Sequence, residues 1–166
     1  MAKMHKLPFR GDSAEHPEAT RPGFRIHSDV CGPLRTATHG GKRYFVSFID
    51  DKTNHVTIYL MTNKSEVFDK IKEFHAWVVN IMQQQIAYFK FDGGGEFASN
   101  ELLAWLKAKG IKLEVTCPYT PSQNPKAERM NRTIMEMARA MLFESGLSDS
   151  YWVAEEAFCM ICHFKD

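Results

Sequence analysis

Tyr44-Phe45-Val46-Ser47-Phe48-Ile49-Asp50-Asp51-Lys52-Thr53-Asn54-His55-Val56-Thr57-Ile58-Tyr59-Leu60-Met61 is the stretch whose reading sets the fold class. Residues 44–49 are apolar on both faces, as a strand inside a covered sheet must be. Asp51 to Asn54 are turn formers, and 56–61 are β-branched and aromatic, so the two runs form a hairpin. Before the hairpin, 24–30 alternates and reads as a strand that puts His27, Asp29 and Cys31 on one face. After it, 65–82 has helical spacing through Val67, Phe68, Ile71, Phe74, Val78 and Met82. A short apolar strand, 86–91, ends at Asp92 and is followed by a glycine-rich turn. A helix over 99–109 is closed by Gly110, a strand covers 111–115, and helices cover 122–144 and 148–164. The order βββαβαβαα predicts an α/β domain with a mixed sheet and helices on both faces.

Length and composition narrow the function classes. A chain of 166 residues suffices for one domain with a real core, and 44% apolar with 12% aromatic residues excludes a disordered chain. The formal net charge is only +1, so affinity for nucleic acid would have to come from a local basic patch and bound cations. No apolar run reaches the length of a membrane span and no signal-peptide core is visible, so no membrane partner is expected. Cys31, Cys117, Cys159 and Cys162 lie in strands, strand ends or a helix and read as reduced thiols. Cys159-x-x-Cys162-His163 matches a haem-attachment pattern. Without axial-ligand context or an export signal it reads instead as half-buried cysteines on an amphipathic helix, with no haem. No second Cys/His pair has the spacing for zinc.

Three acidic residues sit in distinctive contexts: Asp29 in His27-Ser28-Asp29-Val30-Cys31-Gly32-Pro33, Asp92 in Phe91-Asp92-Gly93-Gly94-Gly95-Glu96-Phe97, and Glu128 in Asn124-Pro125-Lys126-Ala127-Glu128-Arg129. Thirty-five residues separate Asp92 from Glu128. Taken singly, each has a bland reading. An Asp at a strand end commonly forms a turn, and a Glu in a first helical turn serves the helix dipole. Asp50 and Asp51 are assigned to the hairpin turn, and Glu96, Glu101 and Glu136 to solvated surface.

Together with Gly41-Lys42-Arg43-Tyr44 leading into 45–51, Lys64-Ser65-Glu66-Val67-Phe68, Pro118-Tyr119-Thr120-Pro121 and Arg129-Met130-Asn131-Arg132-Thr133, these segments resemble the integrase catalytic core of copia-type retrotransposon Pol polyproteins, within the retroviral integrase superfamily. The resemblance implies an RNase H-like fold with a five-stranded mixed sheet. It also implies a catalytic Asp29–Asp92–Glu128 triad that holds two divalent ions, Mg²⁺ or Mn²⁺, with Asp29 bridging them. The implied reactions are trimming of a DNA 3′ end by water and joining of the new 3′-hydroxyl to target DNA, with element ends and target DNA as partners. A homodimer or higher oligomer and a nuclear site of action are implied too. Residues 1–22 read as a tail after an absent zinc-binding domain, and 23–166 as a catalytic core expected to be truncated at its C-terminus.

Tyr119, Gln123, Lys126, Arg129, Asn131 and Arg132, with Arg139, are candidates for contacts to DNA; the alternative is a solvated helix face whose arginines pair with Glu136 and Glu144. The long helix is expected to bury Ala127, Met130, Ile134, Met137, Ala138 and Met141. Two departures from the family pattern stand out. Gly93 replaces the usual Asn after the second Asp, and Pro125-Lys126 replaces a glycine-containing run; proline is tolerated in a first helical turn. They keep two alternatives open: a decayed or repurposed copy that binds nucleic acid or self-associates, and an RNase H-like nuclease that cuts without joining.

Overall fold

The computed structural model describes residues 17–91, Phe97, 99–115 and 124–151. Three antiparallel strands come first: β1 (Arg25–Cys31), β2 (Tyr44–Asp50) and β3 (Val56–Met61). Helix α1 (Val67–Asn80), entered through a 3₁₀ turn at Lys64–Glu66, leads to β4 (Tyr88–Phe91), which runs parallel to β1. Helix α2 (Asn100–Ala108) crosses to β5 (Lys112–Val115), parallel to β4, and α3 (Pro125–Ser145) follows. The sheet order is β3-β2-β1-β4-β5. This is the mixed five-stranded sheet with flanking helices that the sequence predicts. Of the expected final helix, only 148–151 are described, with a 3₁₀ turn at Asp149–Tyr151.

Local chemistry explains the boundaries. Asp50 makes the hairpin turn: its Oδ1 accepts from the amides of Lys52 (3.0 Å) and Thr53 (2.7 Å) and from Thr53 Oγ1 (2.9 Å). Ser99 caps α2 by accepting from the Leu102 amide at 3.1 Å. Gly146, at φ 67°, closes α3 in the left-handed conformation that suits glycine.

Each face of the sheet has its own core. Ile26, Phe48, Phe89 and Phe91 pack against Ile71 and Phe74 of α1 and Leu102 and Leu106 of α2. On the other face Phe45 and Ile49 meet Ala127, Ile134 and Ala138 of α3. β2 is apolar on both sides because both layers cover it, as the sequence predicts. β1, however, is the central strand. Its α3-facing side carries Arg25, His27, Asp29 and Cys31, which is why it does not read as buried on both faces. Apolar covering alone does not explain that polar stripe.

The face of α3 differs from the expected one. Ala127, Asn131, Ile134 and Ala138 are buried, whereas Met137 and Met141 are each 38% exposed. Periodicity counts methionine as core and asparagine as surface. Here Asn131 has a polar strand beneath it and a carboxylate to bond, so it goes inside and the methionines stay at the margin.

Candidate functional site

Two residues on the polar side of β1, His27 and Asp29, are matched to asparagines at the start and in the second turn of α3. His27 Nδ1 lies 2.9 Å from Asn124 Oδ1. Asn124 Nδ2 donates to the main-chain carbonyls of Ser28 (3.0 Å) on β1 and Lys90 (3.3 Å) on β4. Asn124 is fully buried and precedes Pro125, the first helical residue, yet its side chain does not cap the helix. It joins the helix start to two parallel strands at once.

Asp29 lies two residues beyond His27 on the same face and is half-buried. Its Oδ1 accepts from the Val30 amide at 2.8 Å, and its Oδ2 accepts from Asn131 Nδ2 at 2.9 Å. The Asn131 residue is 5% exposed, and its Oδ1 is buried without a hydrogen-bond partner among the described residues. A carboxylate beside an unmatched carbonyl oxygen is a hard-oxygen environment that suits a cation such as Mg²⁺. Cys31, the next residue on this face, does not compete: burial, with the nearby Asp29 charge, pushes its thiol pKa up and keeps it protonated.

Glu128 stands in the first turn of α3, exposed to solvent, with its amide donating to Asn124 O at 3.1 Å. It precedes Asn131 by three residues, about one turn of the same helix. Asp92 lies outside the described residues, as do Gly93, Tyr119 and Gln123. Phe91, the last residue of β4, is in register with Ser28, the residue before Asp29. Among the described residues no three His, Cys, Asp or Glu side chains come close enough to hold a metal ion.

The basic candidates separate into two kinds. Arg129, Arg132 and Arg139 are exposed, and among the described residues no ion pair joins them to Glu136 or Glu144. Lys126 turns back to the hairpin, its Nζ donating to both Asp51 O and Asp51 Oδ1 at 2.8 Å. Asp51, assigned from sequence to the turn, is instead the centre of an ionic cluster. Its Oδ2 lies 3.3 Å from Arg25 Nη1, and Arg25 Nη2 lies 3.1 Å from Glu114 Oε1. Burial raises the Asp51 pKa, but the hydrogen bond and charge of Lys126, with His27 and Arg25, outweigh it and hold the carboxyl down at about 2. His27 Nε2 is 3.1 Å from Asp51 Oδ1 but off the hydrogen-bond line, so it is a close contact and remains unsatisfied as a hydrogen bond. Burial pushes the His27 pKa down and keeps the ring neutral, despite the hydrogen bond that its Nδ1 donates to Asn124 Oδ1.

Sequence reading missed Asn124, Asp51 and Arg25. The two adjacent aspartates at the end of β2 were the available signal, since one suffices for the turn.

The chain resembles known proteins over most of its length. The integrase core domain model matches residues 19–121. The chain is 41% identical over 127 residues to the retrovirus-related Pol polyprotein from transposon TNT 1-94 of Nicotiana tabacum, across 76% of this chain and 10% of that protein. It is 32% identical over 151 residues to the Pol polyprotein from transposon RE1 of Arabidopsis thaliana, across 90% and 10%. To the Ty1-DR4 Gag-Pol polyprotein of Saccharomyces cerevisiae it is 26% identical over 155 residues, across 92% and 10%. The chain thus spans about a tenth of the length of these relatives. A cryo-EM structure of the simian T-cell lymphotropic virus intasome in complex with PP2A regulatory subunit B56 gamma superimposes with a TM-score of 0.70 at 15% identity, covering 90% of this chain and 51% of that one, a likeness of fold. The fold is therefore RNase H-like, and the chain belongs to the integrase core domain family of polynucleotidyl transferases, as the integrase core of a copia-type retrotransposon Pol polyprotein.

Proposed function

We propose that this core processes DNA 3′ ends and joins them to target DNA, with Asp29, Asp92 and Glu128 holding two Mg²⁺ or Mn²⁺ ions. The observation that supports this reading best is the meeting of β1 and α3. Asp29 stands near the end of the central strand, beside the parallel strand that runs into Asp92, and Asn131 and Asn124 bind α3 over it. Glu128 lies between those two asparagines on the helix. The cations supply activation of the attacking oxygen and charge stabilisation on the leaving one. The protein's own part is to hold carboxylate oxygens in place. Asn131 orients Asp29 through one oxygen, and the exposed Glu128 can approach from the helix side. The partially buried Asp29 keeps the site at the protein surface, where a DNA end can reach it. Arg129, Arg132 and Arg139 offer cations for phosphates along the same helix, with Tyr119 and Gln123 on the segment before it. Self-association accompanies this reading, since joining two DNA ends needs two such sites.

Reversal of strand joining on a branched oligonucleotide, with Mn²⁺, tests the proposal. Glu128→Gln keeps the side chain's size but removes an anionic oxygen, and activity should fall on the order of 10³-fold. Wild-type-like activity in that variant would exclude Glu128 as a ligand. Cleavage without any joining by the unmodified chain would favour a simple nuclease.

A further inference from the structure

We infer that Asp51 is a positioning residue: by clamping Lys126 and Arg25 it fixes the first turn of α3, and with it Glu128, against the central strand. The inference rests on the acidic-cluster reading above but concerns residues outside the cluster. The start of α3 lacks the usual local supports. Asn124 makes no side-chain cap, and Pro125 has no amide to donate. The first turn is therefore oriented by tertiary anchors, and among the described residues there are two. One is Asn124, bound to β1 and β4. The other is Lys126, two residues before Glu128, whose ammonium is bound twice by Asp51 at 2.8 Å.

Asp51 is itself rigidly placed. Its amide donates to Arg25 O at 2.9 Å, and its carboxylate faces the Arg25 guanidinium, which is 8% exposed. Arg25 is held in turn by Glu114 of β5. Charges thus alternate Lys126–Asp51–Arg25–Glu114 from the helix start across the hairpin end and β1 to the far strand. The turn's side-chain hydrogen bonds are made by Asp50 and Thr53, so the Asp51 carboxylate is not needed there. A lysine bound in this way is a strut, and it contributes little to phosphate binding.

The test uses the full chain with Asp51→Asn, Lys126→Met, the double variant and Lys126→Arg. In metal-free protein, amide exchange at Glu128, Arg129 and Met130 should speed up about tenfold in each non-conservative single variant. The double variant should be no worse than Asp51→Asn alone, which already removes the Asp51–Lys126 ion pair together with the Asp51–Arg25 pair. Lys126→Arg should recover most of the protection. The Mn²⁺ concentration for half-maximal reversal of joining should rise several-fold in the same variants while the saturated rate is largely kept. A merely stabilising ion pair would lower the melting temperature and leave that concentration unmoved. Lys126→Gln should leave the salt dependence of DNA binding unchanged, whereas Arg132→Gln should flatten it by about one phosphate contact.

Unchanged exchange, additive effects in the double variant, or an unshifted Mn²⁺ requirement would overturn the proposal. Lys126→Met leaves the Asp51–Arg25 pair in place, so it remains informative where Asp51→Asn fails to fold. If the unmodified chain shows no metal-dependent reaction, the acidic-cluster reading fails, and amide exchange still decides the clamp.

Discussion

Asn124→Ala is the substitution with the most to say about this fold. The side chain is fully buried and takes part in three hydrogen bonds: with His27 Nδ1 (2.9 Å), to Ser28 O (3.0 Å) and to Lys90 O (3.3 Å). None can be replaced by water without opening the joint between α3 and the sheet. A neutral hydrogen bond contributes about 1 kcal/mol net, and a buried group left unmatched costs about 1–3 kcal/mol. Three bonds, weighted down for the long one, give a loss of about 3 kcal/mol. For a domain of this size that corresponds to a fall in Tm of roughly 6–12 °C. Urea denaturation followed by tryptophan fluorescence reports it directly, since Trp77 and Trp105 both pack against the α1–α2 side of the core. Asn124→Asp is a sharper companion. It keeps the shape and the oxygen facing His27 but presents a second oxygen to two carbonyls, so it should be at least as damaging as alanine. A loss below about 1 kcal/mol in Asn124→Ala would refute the reasoning, because it would mean the three contacts do not hold the helix start.

The remaining predictions concern acid stability and the strand end. Asp51 has its folded pKa depressed to about 2, against a reference of 3.8, so its contribution is complete above pH 4 and is lost as pH falls through 2. For a side chain only 24% exposed this amounts to about 2 kcal/mol, and Asp51→Asn should remove that part of the slope between pH 4 and 2; parallel stability curves for the two proteins would contradict it. Gly32 has φ 130°, and a Cβ there would come within 2.7 Å of Arg43 O. Gly32→Ala should therefore cost at least about 2 kcal/mol and disturb the strand end three residues from Asp29; a denaturation midpoint equal to that of the unmodified chain would show that the turn relaxes freely.

Sequence by itself determined what depends on local periodicity and local turn chemistry. Two-residue alternation and continuous apolar runs mark the strands, helical spacing marks α1, and Asp50, Ser99, Gly110 and Gly146 end or begin elements through bonds or backbone conformations only a few residues long. The acidic segments were legible as motifs, and β4 does end at Phe91, the residue before Asp92. Tertiary structure decided which polar groups meet. The contacts of His27 with Asn124, of Asp51 with Lys126 and of Asp29 with Asn131 join residues 97, 75 and 102 positions apart. No periodicity encodes such pairs. A polar residue is buried only where folding supplies its partner, and the partner's identity is fixed by strand order and by how a helix lies across it. Sequence therefore marks Met137 as core and Asn131 as surface. The opposite holds because β1, at the centre of the sheet, presents Asp29 to α3, and the buried Asn131 amide answers that carboxylate.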